Sequence, residues 1–157
     1  MEQRFYVDPV LYEGRPQDTA GRQARELAVY DLLDRLGIAY ARADHDPAMT
    51  IADCGAVDRL LGVAMCKNLF LCTAQRTAFS LLLLPGTKPF RTKDLSRQIG
   101  SARLSFADAA HMEEYLDILP GAVSVMGLMN DHGGRVRLLI DREVTNAPYV
   151  GCHPCVN

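Results

Sequence analysis

Two apolar stretches decide the fold: CKNLFLCT at residues 66–73 and TAFSLLLL at residues 77–84. Both have the length and composition of strands. Only Ala74-Gln75-Arg76 separates them, so they read as neighbours in one sheet. The second is apolar almost without interruption. A strand with one wet face alternates, so this one is expected in the middle of the sheet, covered on both sides.

Upstream, Ala24, Leu27, Ala28, Leu32, Leu33 and Leu36 recur at helical spacing between Ala20 and Leu36, and Gly37 stands where such a helix stops. Ile38 to Ala43 alternates weakly as a short strand. Thr50 and Asp53 have capping-box spacing at the head of a second helix that Gly62 closes. Downstream, Pro85-Gly86 breaks the pattern, Thr92 to Ile99 reads as a helix closed by Gly100, Ala102 to Phe106 as a strand and Ala107 to Leu116 as a helix. Pro120-Gly121 turns the chain into Ala122 to Leu128, read as a loop feeding a strand. The turn NDHGG at 130–134 leads to a further strand at Val136 to Ile140. Helices and strands interleaved with hairpin-type links imply a single α+β (mixed α/β) domain. Residues 1–19, with Pro9, Gly14 and Pro16 among polar residues, are expected as an N-terminal arm, and 20–157 as the domain.

The chain has 157 residues, 48% of them hydrophobic and 23% charged, with a formal net charge of −2. That length supports one core without disulfides or metal, and the balance excludes a polybasic binder while leaving room for a local basic patch. No apolar run approaches the ~18 residues of a membrane helix, and the first twenty residues lack the pattern of a secretory signal. Five cysteines, an odd number, suit a reduced, cytoplasmic protein.

Lys67 opens an otherwise apolar strand. It serves either as a solvated strand-end charge or as a fixed ammonium for a phosphate or carboxylate. Asn68 can donate and accept, but adjacent strand residues point to opposite faces, so only one of the pair faces a given pocket. Gly121, in PGAVSVMG at 120–127, would let a ligand approach the backbone and leave N–H groups free. Gly151-Cys152-His153-Pro154-Cys155 has Cys-x-x-Cys spacing, but a zinc site needs a second pair and a thioredoxin-like motif belongs after an early strand; His153 is the more interesting donor. From Gly86 to Arg103 there are five basic residues and one acidic, a solvated face or a track for a nucleic-acid backbone. Tyr40, His45, His111 and His132 show no catalytic spacing.

In order, CKNLFL at 66–71, PGAVSVMGLMND at 120–131 and GCHPCVN at 151–157 resemble the YbaK/prolyl-tRNA-synthetase-associated editing domain, in particular its free-standing ProX (PrdX-like) branch. Lys88 to Phe106 and RVRLLID at 135–141 fit as well, so the resemblance spans roughly 20–157. It implies a mixed, largely antiparallel sheet flanked by helices. The implied activity is hydrolysis of the ester joining a wrong amino acid, foremost alanine, to tRNA for proline. By the same resemblance Lys67, Gly121 and His153 are the catalytic set: Lys67 matches the lysine that engages the terminal adenosine or its phosphate, Gly121 opens the Gly-x-x-x-Pro loop, and His153 belongs to the Gly-x-His-Pro segment. Asn68, Ala122, Val123, Ser124, Val125, Gly151 and Pro154 would surround the substrate, and Lys88, Arg91, Lys93 and Arg97 the tRNA backbone. No metal or organic cofactor is required. The partners expected are the acceptor end of mischarged tRNA and prolyl-tRNA synthetase, with no membrane or DNA.

Two features depart from that pattern. Val125 stands where the loop carries proline. Relatives of this type continue past the position of Asn157, so a chain shortened at that end is expected. The competing reading is a regulator of the same fold that binds an aminoacyl-tRNA or an amino acid without cleaving it.

Overall fold

The computed structural model describes residues 4–63 and 65–157. Its centre is a four-stranded sheet of β3 (Cys66–Thr73), β4 (Phe79–Pro85), β5 (Leu104–Phe106) and β6 (Val136–Ile140), in spatial order β5-β3-β4-β6. β3 pairs antiparallel with both β4 and β5, and β4 pairs parallel with β6. The sheet is mixed and largely antiparallel, with helices flanking it. β4 is interior, as its unbroken apolar run requires: Leu81, Leu82, Leu83 and Leu84 are all buried.

The two faces of the sheet carry separate clusters. On one, Phe70, Cys72, Phe79, Leu81 and Leu83 pack beneath α1 (Ala24–Arg35) and α4 (Ala109–Leu116). On the other, Leu71, Leu82, Leu84 and Leu104 pack with Leu95 and Ile99 of α3 (Thr92–Ile99). Alternate residues of one strand therefore enter different cores.

Local chemistry sets several boundaries. α2 (Ile51–Leu61) begins with a complete capping box, the Thr50 side chain accepting from the Asp53 amide and the Asp53 carboxylate accepting from the Thr50 amide. Gly62 ends it in the left-handed conformation, φ 67°. The expected strand over Ala102–Phe106 is confined to β5, and Ile38–Ala43 contributes only β2 (Ala41–Arg42). β2 pairs with β1 (Tyr12–Glu13), so part of the expected N-terminal arm is built into a second small sheet. Residues 1–3 of that arm lie outside the described residues. A short α5 (Arg142–Asn146), which the sequence reading did not anticipate, follows β6.

The stretch after Gly121 is a correction. Ala122–Leu128 does not feed a strand; Val125–Asn130 is a 3-10 helix. The Ser124 hydroxyl caps it by accepting from the Met126 amide at 3.2 Å. Gly127 lets it lie flat on the end of α4: a Cβ there would fall 2.6 Å from Ile118 Cδ1. No helix among the described residues is long and apolar enough to cross a membrane.

Leu81 has no exposed surface at the centre of β4. Leu81→Ala is expected to lower stability by about 2–5 kcal/mol, read as a reduced urea midpoint at unchanged m-value.

Candidate active site

Across one end of the sheet, Asn68 of β3 stands opposite Leu83 of β4, which in turn stands opposite Ile140 of β6. Leu83 and Ile140 line a cleft of about 310 Å³ with Val125, Met126, Val144 and Cys152. The cleft is largely apolar in its residues; Asn68, across from Leu83 and outside that lining, carries an unusual polar group. Asn68 Nδ2 donates to the Cys66 carbonyl at 3.1 Å, while Asn68 Oδ1 is buried with no hydrogen-bond partner among the described residues. The orientation is chemically determined, because the Cys66 carbonyl can only accept. A buried carbonyl oxygen left without a donor is costly unless a ligand supplies one.

Lys67 leaves β3 on the opposite side. It shares the alternation of Leu69 and Leu71, which face α3, whereas Asn68 shares that of Phe70 and Cys72. Its ammonium donates to the Lys88 carbonyl in the link between β4 and α3. Lys67 thus stands at the cleft's end of the sheet but on the other face, and of the adjacent pair it is Asn68 that shares a face with the cleft.

The segment 151–157 closes the site. Met65 and Gly151 form a parallel bridge so close that a Cβ at residue 151 would lie 2.7 Å from Met65 Sδ and would displace that thioether. Cys152 then faces the cleft beside the buried Ser124 and near Cys66. Burial pushes the Cys66 and Cys152 thiols up and Cys155 up to about 12. These are protonated thiols, the opposite of the depressed values that mark reactive cysteines. Among the described residues no group of three or more His, Cys, Asp or Glu is placed to hold a metal.

His153 is half-buried. Burial, and then the charge of His45, lowers its pKa from the usual histidine range. His45 escaped the sequence reading, since spacing alone gives it no partner. Its Nδ1 lies 2.6 Å from the Asp46 carbonyl, which fixes that nitrogen as the donor. Pro154 is half-buried beside His153. The turn at Gly121 adopts φ 94° and meets the far end of the same segment, Asn157. Ala122 is buried in the core beneath α1, with Val123 and Val125 packed on it. The amides of Val123 and Ser124 donate to no other described residue.

The basic stretch divides. Lys88 is engaged with Asp141 at 2.8 Å and Glu143 at 3.3 Å, and Arg91 with Asp94 at 2.8 Å. Lys93 and Arg97 are exposed one helical turn apart on α3 and form no ion pair among the described residues. A larger cleft of about 540 Å³ lies beside β1 and β2, lined by Glu13, Asp34, Ile38, Tyr40 and Tyr149; it holds none of the residues expected to bind substrate or tRNA.

The profile of the aminoacyl-tRNA editing domain matches residues 45–157. The chain is 34% identical over 127 residues to the prolyl-tRNA editing protein ProX of Acetoanaerobium sticklandii, spanning 81% of this chain and 77% of that protein. It is 30% identical over 142 residues to prolyl-tRNA synthetase associated domain-containing protein 1 of Xenopus laevis, spanning 88% and 83%. The fold is similar to a crystal structure described as a proposed trans-editing enzyme for prolyl tRNA synthetase, with TM-score 0.62, 15% identity, and coverage of 85% of this chain and 82% of that one.

A histidine held neutral by burial makes stability fall with pH. Below the unfolded-state value of about 6.5 the unfolded chain binds a proton that folded His153 resists. Stability is therefore complete above that pH and is lost as pH drops toward the depressed folded value. Urea midpoints at pH 7.5 and 5.5 are expected to differ more for the wild type than for His153→Gln.

Proposed function

The chain belongs to the aminoacyl-tRNA editing domain family, and from that premise we propose that it is a deacylase acting in trans on mischarged tRNA for proline, with alanine as the acyl group it removes. The single observation that supports this most is the buried, unpartnered Asn68 Oδ1 on the sheet face that carries the apolar cleft. An aminoacyl ester carries an α-ammonium, a strong donor that this oxygen can accept, beside a small side chain that suits the cleft.

The need for such a site follows from energetics. A synthetase pocket built for proline rejects alanine only by lost contacts, about 1–3 kcal/mol per methylene, which is insufficient discrimination. A second site that admits only small acyl groups sorts by exclusion. Here Val125, in the position of the loop proline, presents a branched side chain to the cleft. The Val123 and Ser124 amides are the donors available to an oxyanion as water attacks the ester carbonyl. The neighbouring ribose hydroxyl of the substrate assists that water, and the ester oxygen leaves with a proton.

Lys67 holds the phosphate or ribose of the terminal adenosine from the opposite face, exchanging the Lys88 carbonyl for the anion. His153 shapes the cleft as a neutral ring and hydrogen-bonds the substrate. Lys93 and Arg97 are the free charges for the acceptor backbone, with Lys88 and Arg91 joining them by exchanging carboxylates for phosphates. Prolyl-tRNA synthetase is the natural source of the mischarged substrate.

The test is a deacylation panel of alanyl-, seryl-, cysteinyl- and prolyl-tRNA for proline. The alanyl ester is expected to be cleaved fastest and the prolyl ester spared. Lys67→Ala and Asn68→Ala each remove a charge-assisted hydrogen bond, and each is expected to lower kcat/KM about 10- to 100-fold. Unchanged activity in Lys67→Ala would refute the anchoring role. Tight, salt-sensitive binding of charged tRNA without turnover would replace the deacylase with a binding regulator.

A further inference from the structure

The most completely bonded contact between distant parts of the site is made by a residue that the reaction does not use. Asn157 Oδ1 accepts from the Ala48 amide at 2.8 Å, and Asn157 Nδ2 donates to the Ala48 carbonyl at 3.0 Å. One side chain thus reproduces the two-bond pairing of a strand neighbour. Its other side meets the Gly121 turn: Asn157 Nδ2 is 3.7 Å from where a Cβ of residue 121 would sit, with no other described atom within 4 Å.

The backbone is bent to allow this. Cys155 adopts the left-handed conformation, φ 63°, at a non-glycine residue, and its side chain is 1% exposed. Such a conformation persists where the surroundings hold it, here by burial of the thiol in the core beneath α1. The bend returns the chain from His153 to Ala48 and Gly121. The loop that Asn157 grips begins at His45, the residue whose charge acts on His153, and ends at Thr50, the cap of α2.

We propose that Asn157 is a positioning residue for the acyl cleft, docking the His45–Thr50 loop and the Gly121 turn onto the segment that carries Cys152 and His153. It touches no reacting atom. It sets how closely the turn that supplies the sieve approaches the segment that forms the opposite wall, and so it sets which acyl groups fit. The inference rests on the deacylase reading.

The test compares the wild-type chain, Asn157→Ala and Asn157→Asp on alanyl- and seryl-tRNA for proline, with melting temperature recorded for each. Asn157→Ala is expected to lower alanyl kcat about tenfold or more, in keeping with the sensitivity of catalysis to small displacements. KM should move little, and the alanyl-to-seryl ratio of kcat/KM should fall. Asn157→Asp occupies the same volume beside Gly121 but replaces the donor to the Ala48 carbonyl with a carboxylate oxygen. It is expected to lower kcat while keeping the ratio nearer to wild type. Should Asn157→Ala fail to fold, Asn157→Asp alone decides through its kcat. A folded variant with wild-type kcat and wild-type ratio overturns the proposal while leaving the deacylase reading intact. A wild type that cleaves none of the esters overturns both.

Discussion

The antiparallel register of β3 on β4 governs where every other part of the site can be. With Asn68 opposite Leu83 and Lys67 opposite Leu84, the amide and the ammonium enter different faces of the sheet. A slip of one residue would exchange them, burying a lysine in the core beneath α1 and α4 and turning Asn68 toward α3. The register is held by the mismatch between those alternatives: Phe70 and Leu83 belong to one core, Leu71 and Leu84 to the other. Hydrophobic burial on both faces of an interior strand therefore places a polar side chain to within the pitch of one residue.

Close backbone approach is the second constraint. Gly151 against Met65 and Gly86 against the Met65 carbonyl, where an added Cβ would lie 2.8 Å away, bring the final segment and the β4 exit onto the start of β3. Both contacts converge on Met65, the residue before the Cys66-Lys67-Asn68 run. A side chain at Gly86 would meet the Met65 carbonyl, and one at Gly151 would displace the Met65 thioether.

Much of this was legible in the sequence. The β3–β4 pair, the interior place of β4, the Thr50 cap, α3 and β6 all follow from local pattern, and the ordered motifs at 66–71, 120–131 and 151–157 point to the family. Three things were not legible. The strand expected after Gly121 is a 3-10 helix because Ser124 caps it and Gly127 packs on Ile118, contacts made by residues distant in sequence or by a hydroxyl whose partner is set by the turn. Alternation shows that Lys67 and Asn68 diverge, but not which of them faces the motif at 121–125. His45 has no periodic or motif partner near it; only the return of residues 153–157 past the loop at 45–48 brings it to His153.

The arrangement of charge follows from what each part must do. Buried ions are expensive unless paired, and the cleft's lining accordingly carries no charged side chain, its Cys152 thiol being kept protonated by burial, while the pKa of His153 in the same segment is lowered by burial. The substrate proposed above brings its own ammonium and its own phosphates, so a charged cleft would have to lose an ion pair before gaining one. Cations are kept instead at the sheet end and on α3, where Lys88 and Arg91 rest against carboxylates and Lys93 and Arg97 remain solvated. A nucleic-acid backbone bound there, as proposed, would release counterions and be held weakly at high salt. On the function proposed above, the nucleic-acid chain and the acyl group would be met by separate surfaces, with Lys67 and Asn68, adjacent in sequence and opposed in direction, at the end of the sheet between them.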